Sequence, residues 1–186
     1  MLDTGDTRIP AETKELVRDE PVAAASRSAG QAEDDTRVDV AVDVRRNSVV
    51  TTLAASLIAA LRPGIHRVLV RQPVKLSESL SARPDICVLR DRGAATPQDG
   101  RQSAVELIID VANAADLQHT LDKLEDYARA GVPEVWIVDL ARQRILVYQV
   151  PSGHSFAKRQ LLVAPERVTL LAGADLKVAW IFGEGK

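Results

Sequence analysis

Cysteine occurs once in the 186 residues, at Cys87, so no disulfide can close within the chain. That excludes a disulfide-stapled fold and leads us to expect a reducing, cytoplasmic setting. Aromatic residues are nearly as scarce, two each of Trp, Tyr and Phe. The core must therefore be filled with Val, Leu, Ile and Ala, and a stacking platform for single-stranded nucleic acid is disfavoured. No apolar run approaches the roughly 18 residues of a membrane span, so no membrane partner is expected. The opening stretch, MLDTGDTRIPAETKEL, is too acidic and polar for a signal peptide. Gly-rich phosphate loops, a Walker motif, GxSxG and CxxC are also missing, which disfavours a nucleotide-dependent small-molecule enzyme. The three histidines, His66, His119 and His154, are scattered and show no metal-ligand spacing.

Charge is close to balanced overall, with a net of -2, but it is unevenly placed. Residues 1–36 hold four Lys/Arg against nine Asp/Glu, and residues 37–186 hold 20 against 17. An acidic, flexible tail over 1–36, with a short helix around Glu12–Arg18, thus precedes a mildly basic domain over 37–186. That basic excess is compatible with nucleic acid without demanding it.

Local patterns supply the elements. In RVDVAVDVR, Val38, Val40, Val42 and Val44 alternate with polar residues or alanine, which predicts a half-buried strand. NSVVTTLAASLIAALRPG predicts a helix capped by Asn47 or Ser48 and stopped at Pro63-Gly64. HRVLVRQPVKL and ARPDICVLRD predict two strands, and TPQDGRQ a loop. VELIIDVA is apolar enough for a central strand. Leu117, Leu121, Leu124 and Ala128 form one face of a helix from about Asp116 to Ala130, ended by Gly131. EVWIVD and RILVYQV predict two more strands, and FAKRQLLV and LKVAWIF two short ones. The order β-α-β-β-β-α-β-β, with extra strands, makes this an α/β chain.

The polar residues inside these elements carry the functional signal. Asp110 lies near the C-terminal end of VELIIDVA, where open α/β sheets place ligands. Glu106 shares its face, two strand periods further back. Asp85 opens a short strand after Pro84, with Cys87 on the same face. Lys123 is off the leucine stripe of the next helix, and Tyr127 lies one turn beyond it. Two carboxylates and a lysine are the groups that metal-assisted hydrolysis of a phosphodiester uses. Carboxylates hold a hard cation such as Mg²⁺, and an ammonium can orient the attacking water. Each residue also has a plain structural reading. Asp85 could cap a turn, and Asp110 could cap a helix, although Asp116 is better placed for that. Lys123 could lie on a solvated face, and Tyr127 at a core edge. Cys87 reads as a buried thiol, and Asp139, at the end of EVWIVD, as a turn residue.

Taken together, PDICV, VELIIDVANAAD, DKLEDYARAGVPEVWIVD and ILVYQ resemble the Uma-two family of restriction-endonuclease-like proteins, in the PD-(D/E)XK nuclease superfamily. The resemblance runs from about Val38 to Gln149, and AGVPEVWIVD is its most specific part. It implies a restriction-endonuclease-like fold, a mixed central β-sheet flanked by helices. It also implies a Mg²⁺-dependent endonuclease, with Mn²⁺ as a substitute, acting on DNA and often dimeric. By the same resemblance, Asp85 and Asp110 bind metal, Lys123 supports the attacking water and Tyr127 accompanies it. Ala112 stands where the superfamily motif places its lysine. Asp110 replaces the usual glutamate, and Asn113-Ala114-Ala115 replaces the family's Ser-Pro-Ser. The family's Gly-Glu opening has no clear match, and Asp39 and Asp43 lie in that region. These departures favour the alternative, a catalytically silent domain that binds nucleic acid or protein.

Overall fold

The computed structural model describes residues 31–91, 103–171 and 173–183; of residues 31–40 and 103 it describes the backbone alone. The chain divides between Thr36 and Arg37, and the architecture below is that of the unit Arg37–Lys186, with its first helix given by its full bounds. The expected helix around Glu12–Arg18 and the loop TPQDGRQ lie outside the described residues.

The first element is a helix, α1 (Gln31–Ala60), not the strand expected at Val38–Val44. The reason lies in where the buried side chains fall. Val44 is largely exposed, and continuous burial starts at Val49 and Val50 and recurs at Leu53, Ala54, Leu57 and Leu61. Val42 and Arg46, both half-buried, extend that stripe backward at helical spacing. Once the leucine-rich turns are formed, each residue added upstream gains a hydrogen bond with no new nucleation cost.

A six-stranded sheet forms the centre, in the order β1-β4-β5-β6-β7-β8. Its strands are β1 (His66–Val70), β4 (Ile86–Asp91), β5 (Ser103–Ala112), β6 (Glu134–Asp139), β7 (Arg144–Ser152) and β8 (Ser155–Leu162). Two short strands, β2 (Val74–Lys75) and β3 (Ser81–Ala82), form a ribbon between β1 and β4 in the chain. Only β5 and β6 are parallel; every other neighbouring pair in the large sheet is antiparallel. The parallel pair needs a crossover, supplied by α2 (Leu117–Asp122) and α3 (Leu124–Arg129). The single helix expected there is two short ones meeting at Lys123. Gly131 follows with φ +72, the left-handed conformation that glycine adopts without a Cβ clash.

Strand alternation builds a layer on each face. On one face, Val49, Leu53 and Leu57 of α1 pack on Ile86, Val88, Ile109, Val111, Trp136 and Val138. On the other, Leu117 and Tyr127 pack on Cys87, Ile108, Ala112, Val135 and Ile137. Each fully buried aliphatic side chain contributes about 1.5–3 kcal/mol. The chain ends with β9 (Arg167–Thr169) paired to β10 (Asp175–Lys177), then α4 (Val178–Ile181). The strand expected over LKVAWIF is thus only its first two residues; Val178 and Ile181 turn into the core as one helical turn. Among the described residues, no helix is long and apolar enough to cross a membrane.

Candidate active site

The antiparallel register of β4 and β5 creates the site. Ile86 pairs with Ile109, so one step further places Asp85 opposite Asp110. Each acid takes a backbone N–H from the other's strand. The Asp85 N–H donates to Asp110 Oδ1 at 3.2 Å, and the Val111 N–H donates to Asp85 Oδ2 at 2.9 Å. Both carboxylates are buried, with residue exposures of 5% and 3%. Like charges directly opposite each other across two strands destabilise a sheet, so this pair requires cations.

Three cations surround it. Arg46, from the stripe of α1, donates its Nη2 to Asp85 Oδ2 at 2.9 Å and its Nη1 to Asp116 at 3.3 Å. Arg71 donates Nε to Asp85 Oδ1 at 3.3 Å and Nη2 to Asn47 at 2.5 Å. Its backbone has φ +51, uncommon for a non-glycine residue, and its N–H donates to the Asp85 carbonyl at 2.9 Å. Lys123, at the joint of α2 and α3, brings Nζ to 3.8 Å from Asp110 Oδ2. On the same oxygen, the Tyr127 hydroxyl donates at 2.9 Å.

The electrostatics follow from burial. Desolvation pushes the Asp110 carboxyl above the usual carboxylate range; Lys123, the Tyr127 hydroxyl and the Asp85 N–H pull back part of that shift. Tyr127 is pushed far up by burial and by the Asp110 charge it faces, so it is a hydrogen-bond donor and not a base. Burial works against the Arg46 charge, but its hydrogen bond to Asp85, with the charges of Asp85, Asp116 and Asp110, holds the guanidinium above its ordinary value. Burial alone pushes the Cys87 thiol up to about 12, which makes it an inert core group.

Thus Asp85, Asp110, Lys123 and Tyr127, singled out from sequence, come together around one point. Glu106 does not join them. It pairs with His66 and Arg90 at the far end of β5. His119 is exposed on α2. Asp116 makes no side-chain cap for α2 and faces Arg46 instead; Asn113 Oδ1 takes the N–H groups of Ala115 and Asp116 at 2.7 and 3.1 Å. The altered Asn113-Ala114-Ala115 segment therefore still closes the turn after β5. Arg46 and Arg71 were not singled out. A cation at helical spacing from Val42 and Val50 marks Arg46 once α1 is a helix, whereas nothing local marks Arg71.

Outside the acids lies a cleft of about 390 Å³, lined by Asp43, Arg46, Asn47, Arg71, Arg83 and Asp85. Of the two acids, Asp85 lines this cleft; a pair of opposed carboxylates suits a hard divalent cation in kind, since Mg²⁺ takes one or two carboxylates and fills its other positions with water and phosphate oxygens. Among the described residues, no group of three or more His, Cys, Asp or Glu is placed to form a dedicated cage.

A family model, Uma2, with the description "Putative restriction endonuclease", matches residues 35–179. No curated protein matches the chain. Among solved structures, "a putative nuclease belonging to DUF820" from Anabaena variabilis is similar with a TM-score of 0.60 and 14% identity, covering 75% of this chain and 81% of that one. At that identity the likeness is one of fold.

Proposed function

The chain belongs to the Uma2 family and has its restriction-endonuclease-like α/β fold, and from that premise we propose that it is a Mg²⁺-dependent endonuclease that hydrolyses DNA phosphodiester bonds. The observation that carries this reading is the convergence of Asp85 and Asp110 from adjacent strands, with Lys123 and Tyr127 on the second acid. In this reading Asp85 and Asp110 hold Mg²⁺, or Mn²⁺ in its place. When bound, such an ion acidifies water and neutralises charge on the phosphate. Tyr127 fixes the Asp110 carboxylate by its hydroxyl. Lys123, half-buried and loosely held at 3.8 Å, supplies a positive charge to orient the attacking water and stabilise charge developing on the phosphate. Cutting both strands of a duplex from one site per chain calls for a second copy, so a homodimer belongs to the proposal. So does a cytoplasmic setting, in which Cys87 stays a thiol.

The direct test is cleavage of supercoiled plasmid in Mg²⁺ or Mn²⁺, comparing the wild type with Lys123→Met. Met keeps the stem and removes the charge. The rate should drop by about 10²–10³-fold, with substrate binding nearly unchanged. A variant that cuts as fast as the wild type removes Lys123 from the mechanism. The pH profile offers a second check. Both metal binding and catalysis need Asp110 ionised, and its carboxyl is held above the normal range by burial. The affinity for Mn²⁺ should therefore fall, as pH is lowered, at a higher pH than an ordinary carboxylate would dictate. An affinity that falls only within the normal carboxylate range contradicts this.

One observation favours the second reading, a silent domain that binds nucleic acid or protein. Both Asp85 oxygens are already held by protein groups: Arg71 on Oδ1, and Arg46 with the Val111 N–H on Oδ2. A wild type that neither cuts nor binds metal would put this reading first.

A further inference from the structure

Resting on the metal-binding reading of Asp85 and Asp110, we infer that the Arg46 guanidinium is a resident counter-cation that competes with a divalent ion for Asp85, so that the site loads metal only as Arg46 leaves. The charge inventory leads there. Three carboxylates, Asp85, Asp110 and Asp116, face three cations, Arg46, Arg71 and Lys123. A divalent ion approaching that set meets carboxylates whose charge is already neutralised. Removing Arg46 leaves the carboxylates one charge in excess and frees Asp85 Oδ2 of its ion pair.

Geometry makes Arg46, and not its companions, the group that moves. Arg71 is anchored at three points: its N–H on the Asp85 carbonyl, its guanidinium on Asp85 and Asn47, and its carbonyl accepting from Arg83 Nε. Among the described residues, the Lys123 ammonium pairs with Asp110 and not with Asp85. Arg46 reaches Asp85 by one nitrogen at 2.9 Å and Asp116 by the other at a longer 3.3 Å, both at the end of a long stem beside the cleft. Its Nε is buried with no hydrogen-bond partner among the described residues, so the clasped position leaves one donor unmet. A swing into the cleft would hydrate that donor while the stem stays along α1. Asp43, one helical turn earlier and on the cleft wall, offers a carboxylate on that side. Arg46 would thus make the two-acid site, short of a third carboxylate, selective for conditions that draw the guanidinium away, such as a phosphate oxygen entering the cleft.

The test is Mn²⁺ titration by calorimetry on the full chain, comparing wild type, Arg46→Gln and Arg46→Ala, with circular dichroism to verify folding. Both variants should bind one ion about tenfold or more tightly than the wild type, since each loses a charge-assisted competitor for Asp85. Adding Asp110→Asn to either variant should abolish the gain. Equal affinity in wild type and variants overturns the inference and leaves the metal reading standing. No binding by any of the three overturns the metal reading and the inference with it. A measurement on the wild type covers the case in which the variants do not fold. The Arg46 Nε–Hε resonance should shift as Mg²⁺ binds, and a resonance that stays fixed while metal binds also overturns the inference.

Discussion

Asp110→Asn is expected to abolish Mn²⁺ binding and to slow DNA cleavage by roughly a thousandfold, about 4 kcal/mol of transition-state stabilisation, while leaving the fold intact. The two halves of that expectation have separate physical grounds. Function depends on charge. With Asn at 110, one of the two opposed carboxylates is gone, and Asp85 alone must hold the ion against Arg46 and Arg71. The fold depends on hydrogen bonds, and these survive. The amide oxygen can accept the Asp85 N–H that Asp110 Oδ1 now takes at 3.2 Å. The amide NH₂ can then donate to the Tyr127 oxygen, because a hydroxyl that donates at 2.9 Å can rotate and accept. The substitution also removes a buried charge whose cost shows in the raised Asp110 pKa. Lys123 loses a partner but is exposed enough to turn to water. The checks are calorimetry, plasmid cleavage and a thermal melt on the same protein. A variant that still binds Mn²⁺ as the wild type does would place the metal elsewhere. A variant that fails to fold would show that Asp110 is held for structure and not for chemistry.

The contrast between Asp110 and the residues around it shows what the sequence could and could not disclose. Asp110 was legible because a carboxylate in an apolar strand is costly and has few reasons to be there. Its partners on the following helix were legible because Lys123 and Tyr127 are four apart, and the crossover after a parallel strand returns over the same face. The pairing with Asp85 required the register of two antiparallel strands, which the sequence suggests only through the resemblance and the structure fixes through Ile86 and Ile109. Arg46 was hidden by a wrong period. The alternating valines at 38–44 match a strand template, and only the packing of Val49 to Leu61 on the sheet carries the helix back through them. Arg71 was hidden for another reason. Its position depends on a left-handed backbone at a residue type that rarely adopts it. The last strand failed where tertiary burial of Val178 and Ile181 outweighed the local β-propensity of LKVAWIF.

Asp139→Ala is expected to cost the fold about 3–5 kcal/mol and, below its unfolding temperature, to leave metal binding unchanged. The carboxylate has no exposure at all and sits at the end of β6. Its Oδ1 accepts the Arg142 N–H at 3.2 Å and its Oδ2 accepts Arg144 Nε at 2.9 Å, so it ties the β6–β7 turn to the strand that leaves it. Arg144 is only 15% exposed, and truncating Asp139 leaves that guanidinium buried without its carboxylate. Breaking one side of such a pair costs far more than the pair contributes when whole. It follows that Asp139→Leu with Arg144→Met should recover most of the loss, because two apolar side chains can fill the same space with no charge to desolvate. The cycle of single and double variants, followed by urea unfolding, measures this as a drop in midpoint at an unchanged slope for the single variant. A loss below about 1 kcal/mol would mean that Arg144 reaches water and that the pair acts as a surface one. The position also bears on function by what it does not do. Asp139 lies beside Ala112, two residues beyond Asp110, and the Leu140 N–H donates to the Ala112 carbonyl at 2.9 Å. It is a third acid near the site in sequence register, yet both of its oxygens are consumed by arginine and by the turn. Metal affinity that persists in Asp139→Ala while stability falls would separate the scaffold of AGVPEVWIVD from the chemistry of Asp85 and Asp110; metal affinity lost in step with Asp110→Asn would enlarge the site to include it.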